Sequence, residues 1–151
     1  AAGLTVATAE SCTGGMVAQM LTSVPGASAC FRAGFVTYAD AAKTGLLGVP
    51  DDAIAAHGAV SEPVVRAMAA GARRAAGADL AVAVSGIAGP AGGTVDKPVG
   101  TVWIGWDGPS GAGARAFRFE GDRDQVRRSA AVHALDVLRR QCLSMPGRAA
   151  G

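Results

Sequence analysis

The run Thr8-Ala9-Glu10-Ser11-Cys12-Thr13-Gly14-Gly15 puts a serine where an apolar stretch from Leu4 to Ala9 gives way to a helical pattern. Leu4, Val6 and Thr8 suit a short strand, while Val17, Met20, Leu21 and Val24 recur at the spacing of one helical face. Ser11 is therefore expected at a strand-to-helix turn. Helix N-termini carry unpaired N–H groups and partial positive charge, and Gly14 and Gly15 present no Cβ to a ligand. Such a corner can hold an anion or stabilise an oxyanion beside a hydroxyl nucleophile. The competing role is local: Ser11 or Thr13 caps the helix.

A serine nucleophile needs a base. Lysine occurs only at Lys43 and Lys97, against twelve arginines, so these two positions are candidates for an amine that must lose its proton. Composition bias is the alternative explanation. Tyr38, the only tyrosine, lies five residues before Lys43, and both face one pocket if the chain turns from strand to helix between them. The histidines make a weaker base: His133 falls on the inward stripe of a helix, and His57 precedes a glycine in a loop without a carboxylate partner. A partly buried lysine, its pKa lowered by desolvation, is the more economical activator of Ser11. Cys12 is an alternative nucleophile, but adjacent side chains point apart, and a small buried thiol is the expected role.

No His, Cys, Asp and Glu cluster has metal-ligand spacing, so neither a metal nor a cofactor is expected. Cys12, Cys30 and Cys142 form no even-numbered disulfide framework, and reduced thiols in a cytoplasm are the simpler reading. No leader or bilayer-spanning run is recognisable, which predicts a cytoplasmic chain without a membrane partner. Half of the 151 residues are apolar, 17% are charged and the net charge is +2. This excludes a disordered or collagen-like chain. Basic residues are scattered, with short pairs at Arg73-Arg74, Arg127-Arg128 and Arg139-Arg140, so no nucleic-acid surface is expected.

The elements that must position these residues follow in order. A turn at Val24 to Ser28 precedes a strand pattern from Cys30 to Tyr38, then a short helix from Ala39 to Leu47 ended by Gly48. Pro50-Asp51-Asp52 opens another brief segment. Ser61-Glu62-Pro63 starts a helix with Ser61 as cap and Val65, Met68, Ala69, Ala72 and Ala76 inward. Leu80 to Val84 is a strand covered on both faces, leading into the glycine-rich loop Ser85 to Thr94. Gly100 to Trp106 and Arg115 to Phe119 are predicted to form a hairpin. Asp122 and Gln125 resemble a capping box opening a helix to about Cys142, with Val126, Ala130, His133, Val137 and Leu138 inward. One domain spans 1–151, with a frayed tail from about 146. Strands and helices in this order predict an α/β three-layer fold with a mixed sheet. Ligands in such sheets gather at the carboxyl ends of parallel strands, where Ser11 and Ser85 would open on one edge.

Several of these segments together carry a resemblance. Ala9 to Gly15, Thr37 to Lys43 with Leu46 to Val49, Gly58 to Ser61, Ser85 to Pro90 with Gly92 to Thr94, and Lys97 to Val102 closely resemble the CinA C-terminal domain family. The likeness continues through Gly121-Asp122-Arg123 and Val126-Arg127. It implies a three-layer α/β/α sandwich with a mixed, mostly parallel five-stranded sheet. It also implies a nicotinamide-nucleotide amidase that converts nicotinamide mononucleotide to nicotinate mononucleotide and ammonia in pyridine nucleotide recycling. By carry-over Ser11 is the nucleophile, Lys43 and Tyr38 transfer its proton, and Gly14, Gly15, Ser85, Gly86, Arg123 and Arg127 bind substrate. Ser85 stands where many members have threonine, which keeps the hydroxyl. Glu10 would orient the lysine or close the turn, and Lys97 would enter the pocket or brace the loop. A small nucleotide is the expected partner, and the alanine-rich composition with the resemblance implies a homo-oligomer. Nothing corresponds to the additional N-terminal domain of some members, or to the helix that usually precedes the first strand. The chain is thus read as a stand-alone amidase or an excised C-terminal domain. The rival reading is a non-catalytic nucleotide- or partner-binding domain on the same fold, which would need the glycine loops but not Ser11, Tyr38 and Lys43 together.

Overall fold

The computed structural model describes residues 3–144; the tail from about 146 lies outside them. In chain order the elements are β1 Val6–Glu10, α1 Met16–Thr22, β2 Phe31–Val36, α2 Asp40–Leu47, α3 Asp51–His57 and α4 Glu62–Ala76. They continue with β3 Leu80–Gly86, β4 Thr101–Asp107, β5 Gly113–Arg118 and α5 Arg123–Ser144. The sheet order is β2-β1-β3-β4-β5. β2, β1 and β3 pair in parallel and β4 pairs antiparallel with both β3 and β5, so β4 alone runs against the other four.

Alternation along the central strands divides the core into two. Val6 on β1 and Leu80, Val82 and Val84 on β3 pack towards α1 and α5, with Val126, Ala130, Ala134 and Leu138. Ala7, Ala9, Ala81 and Ala83 face the other way, onto Val64, Val65, Met68, Ala69 and Ala72 of α4 and Leu47 of α2. These alanines let α4 lie close on the sheet. At Gly105 of β4 a Cβ would come within 2.7 Å of the Val65 carbonyl oxygen, and at Gly71 of α4 it would collide with the Leu47 carbonyl. Each fully buried valine or leucine here contributes roughly 1.5–3 kcal/mol, so the three-layer α/β/α sandwich rests on this two-sided pattern.

The capping box opening α5 is formed reciprocally: Gln125 N–H donates to Asp122 Oδ1 at 2.9 Å, and Asp122 N–H to Gln125 Oε1 at 2.7 Å. Other expectations change. α1 ends at Thr22, and Val24 lies beyond it, 60% exposed. β2 starts at Phe31 and ends at Val36, two residues short of Tyr38. Ser85 and Gly86 belong to β3, because the β4 pairing carries the strand through Ser85↔Trp103 and Gly86↔Val102. The Ser61 hydroxyl does not cap α4; it donates to Gly58 O at 2.8 Å. His133 is exposed, where it meets Phe117 and Phe119 at ring-centroid distances of 5.2 and 4.8 Å. Helical register puts Ala131 and Ala134 inward instead.

Candidate active site

The turn after β1 is built by Glu10. Its side chain alternates with that of Ser11, so it falls on the α1 face. There it accepts the Val17 N–H at 2.8 Å, the Ala18 N–H at 3.0 Å and the Thr13 hydroxyl at 2.7 Å. The carboxylate thereby satisfies the first turn of α1, where negative charge is favoured. The helix has no side-chain cap from its N-cap residue, Gly15, and neither Ser11 nor Thr13 caps it. Glu10 closes the turn, and it is not bonded to Lys43.

Ser11 sits on the opposite face with its hydroxyl free for other work. Lys43, carried in by α2, places Nζ 3.3 Å from Ser11 Oγ. The same amine donates to Thr37 O at 2.9 Å and Tyr38 O at 3.2 Å, and Asp40 Oδ1 lies 3.6 Å away. Lys43 is 1% exposed and Ser11 9%. Burial pulls the Lys43 amine below the ordinary lysine value, with the Asp40 carboxylate pulling it back up. A neutral amine has two N–H donors and one lone pair. Two carbonyls are in place for the donors, and the lone pair is then left for the Ser11 O–H.

The parallel ladders set three hydroxyl-bearing residues side by side. Ser11 N–H donates to Val84 O and Thr37 N–H to Glu10 O, both at 2.9 Å, extending the β2-β1-β3 register one step past Glu10. Positions 37, 11 and 85 are consequently neighbours, all with the parity of Phe35, Ala9 and Ala83, which pack on the α4 side. Ser85 Oγ donates to Ala59 O at 2.8 Å and so holds the loop before α4. Thr37 is fully buried and its Oγ1 has no hydrogen-bond partner, a condition that costs on the order of 1–3 kcal/mol.

Tyr38 meets Lys43 through its backbone carbonyl. The residue is 61% exposed, and its hydroxyl accepts from Arg123 Nη2 at 3.1 Å. Arg123 also donates to Gly89 O at 2.8 Å, tying the N-terminus of α5 to the glycine-rich loop. Arg127 is occupied otherwise: Nε donates to Cys12 O at 3.0 Å and Nη2 to Thr13 O at 3.4 Å, bracing the turn, while Nη1 meets Asp124 at 3.3 Å. Gly14 and Gly15 have φ of +60° and +103°, conformations that side chains resist. The Gly14 N–H is taken by Ser11 O at 3.0 Å, whereas the Thr13 and Gly15 N–H groups have no backbone acceptor in the described structure. A Cβ on Gly86 would press on Val102, Thr101 O and Cys12 Sγ, so Gly86 allows the turn to pack against β4. Burial raises the Cys12 thiol to about 11, which leaves it protonated at neutral pH. Lys97 braces a loop, donating to His57 O at 2.6 Å. Among the described residues no group of three or more His, Cys, Asp or Glu could hold a metal ion, and no helix is long and apolar enough to cross a membrane.

Sequence reasoning passed over two residues. Thr37 is marked by parallel register opposite Ser11, and Asp40 by its i, i+3 spacing to Lys43 on one helix.

A family model described as the CinA C-terminal domain matches residues 1–142. The nicotinamide-nucleotide amidohydrolase PncC of Escherichia coli strain K12 is 56% identical over 144 residues, covering 95% of this chain and 87% of that protein. A putative competence-damage inducible protein of Symbiobacterium thermophilum is 58% identical over 150 residues, covering 93% of this chain. A CinA-like protein of Anaeromyxobacter sp. strain K is 61% identical over 139 residues, covering 92%. The chain spans only 35% and 34% of the length of these two relatives. The crystal structure of the competence damage-inducible protein A (ComA) from Klebsiella pneumoniae superposes with a TM-score of 0.91 at 40% identity, covering 95% of this chain and 89% of that one.

Proposed function

The chain belongs to the CinA C-terminal domain family, and we propose that it is a nicotinamide-nucleotide amidase in which Lys43 activates Ser11. Ser11 Oγ attacks the carboxamide carbon of nicotinamide mononucleotide as its proton passes to the neutral Lys43 amine. The oxyanion is received by backbone N–H groups of the turn after β1, those of Thr13 and Gly15 being uncommitted. Collapse breaks the C–N bond, Lys43 returns the proton to the leaving nitrogen, and ammonia departs. Water then attacks the Ser11 ester, giving its proton to Lys43, which passes it back to Ser11 Oγ as nicotinate mononucleotide leaves. No metal is required by these steps.

Arg123 and the Tyr38 hydroxyl form the rim, where the guanidinium meets the substrate phosphate and the phenol assists proton transfer. Arg127, already bonded to two turn carbonyls, holds the N–H groups of that turn in place. Ser85 acts on the substrate through the Ala59 loop it anchors, and Gly86 through the closeness it allows.

The observation that carries this reading is the 3.3 Å approach of Lys43 Nζ to Ser11 Oγ with two carbonyls for its remaining N–H groups. It is joined by the identity to the Escherichia coli amidohydrolase. The test is to incubate the chain with nicotinamide mononucleotide, with and without chelator, and follow ammonia and nicotinate mononucleotide. Chelator-insensitive turnover that Ser11→Ala abolishes is expected. Nucleotide binding without turnover would favour a binding domain instead.

A further inference from the structure

Only two buried side-chain oxygens among the described residues lack a hydrogen-bond partner, those of Thr8 and Thr37. Thr8 Oγ1 packs against Gly34, where a Cβ would lie 2.9 Å away. Thr37 has a different neighbourhood. It stands next to Ser11 in the row of three hydroxyls, and its own carbonyl is the shortest contact of Lys43 Nζ, at 2.9 Å. Of that row, Ser85 is bonded to Ala59 O and Ser11 to Lys43, and only Thr37 is unengaged.

A lysine ammonium has three N–H donors. In the resting site they match Thr37 O, Tyr38 O and Ser11 Oγ. Each time Lys43 holds the transferred proton during the reaction, Ser11 Oγ is bonded to the substrate carbon and is a poor acceptor, so the third donor is left with only the Asp40 carboxylate, 3.6 Å away. We propose that the Thr37 hydroxyl is the acceptor held in reserve: it receives a Lys43 N–H while Lys43 holds the transferred proton and Ser11 Oγ is bonded to the substrate carbon, and keeps the amine beside the reacting carbon. Thr37 forms and breaks no covalent bond and keeps its own proton, so it is a positioning residue acting through Lys43. This deepens the reading of Ser11 and Lys43 as nucleophile and base, and it rests on it.

The inference can be tested without substrate, because Ser11→Ala removes the same acceptor that esterification removes. With lysine only at positions 43 and 97, NMR of labelled lysine side chains resolves the Lys43 titration. The other titratable groups acting on it are Asp40 on its own helix, Cys12 from the turn after β1 and the Tyr38 phenol. All three are unchanged across these variants, so their effects cancel in the comparison. In the Ser11→Ala background, Thr37→Val is expected to lower the Lys43 pKa by about 1 unit, while with Ser11 present the same change moves it by less than ~0.3 unit. Thr37→Ser should behave as threonine does in both backgrounds. Equal shifts in the two backgrounds, or none in either, would overturn the proposal.

Kinetics provide the second readout. Thr37→Val is expected to lower kcat about 10-fold and to move the acidic limb of the kcat profile to lower pH, while the kcat/KM limb, which reports the free enzyme, stays in place. A fall in kcat that Thr37→Ser fails to restore would assign Thr37 to packing alone. Absence of ammonia release by the unmodified chain would refute the amidase reading, while the substrate-free titration would still decide the role of Thr37.

Discussion

Glu10 and Ser11 are consecutive residues with opposite duties. Glu10 turns to α1 and accepts the Val17 and Ala18 N–H groups at 2.8 and 3.0 Å, while Ser11 turns to α2 and meets Lys43 Nζ at 3.3 Å. Strand alternation thus separates the residue that builds the turn from the proposed nucleophile. Because the carboxylate satisfies α1, the serine hydroxyl is released from the capping role that its position would otherwise suggest.

Glu10→Gln tests that division. The amide keeps the shape but loses the charge, and turns an NH2 group towards one of the two backbone donors. A loss of about 1–3 kcal/mol in denaturant unfolding is expected, with kcat reduced because the turn carrying Ser11 is displaced. Unchanged stability would show that the carboxylate is not what holds α1.

Gly71→Ala probes how α2 delivers the lysine. Removing a helix-interior glycine gains about 1 kcal/mol in propensity, but the new Cβ meets the Leu47 carbonyl at the end of α2. Overpacking against a backbone atom costs typically 1–3 kcal/mol and wins. Thermal unfolding should show net destabilisation, and kcat should fall more than KM rises, since α2 also carries Lys43.

The pH dependence follows from the protonation state of the base. With Lys43 as the proposed base, its neutral amine is the active form, so kcat/KM should rise with pH along a limb set by its pKa, below the ordinary lysine value of 10.5. The Asp40 carboxylate favours the ammonium, so Asp40→Asn should lower the pKa further and shift the limb to lower pH. Asp40 is 60% exposed, so solvent screening keeps the shift under about 1 unit. A limb moving to higher pH would contradict the assignment of Lys43 as base.

Arg123 and Arg127 should separate cleanly. Arg123→Ala should raise KM for the mononucleotide about 10–100-fold, the loss of a charge-assisted contact worth about 1.5–3 kcal/mol. Its effect on the unphosphorylated nucleoside should be much smaller. Arg127→Ala should instead lower kcat for both substrates, because its contacts are the Cys12 and Thr13 carbonyls. Equal loss with and without phosphate for Arg123→Ala would remove it from phosphate binding.

Much of the fold was legible because it is written in local patterns. The continuous apolar run Leu80 to Val84 marked a strand covered on both faces, and the spacing of Asp122 and Gln125 marked the start of α5. Boundaries that depend on tertiary pairing were not: Ser85 and Gly86 look like loop residues, and only the pairing with β4 keeps them extended. His133 followed the helical stripe in sequence, but α5 turns its alanines to the sheet and leaves the imidazole with Phe117 and Phe119 at the surface. At the site, residue type drew attention to Ser11 and Lys43, whose side chains the structure brings together across 32 positions of sequence. Thr37 carried no such signal, because an ordinary threonine becomes noteworthy only once parallel register sets it beside Ser11.

The central claim is that Ser11 is activated by a lysine that gives up its proton, and Lys43→Met and Lys43→Arg test it most directly. Ammonia release from nicotinamide mononucleotide would be compared with the unmodified chain, alongside thermal unfolding. Methionine keeps the stem without the amine, and arginine keeps the charge but cannot act as a base. Both variants are expected to fold and to lose at least ~10³-fold in kcat, the scale seen when a member of a nucleophile–base pair is removed. A folded Lys43→Arg or Lys43→Met chain that releases ammonia at close to the unmodified rate would contradict it.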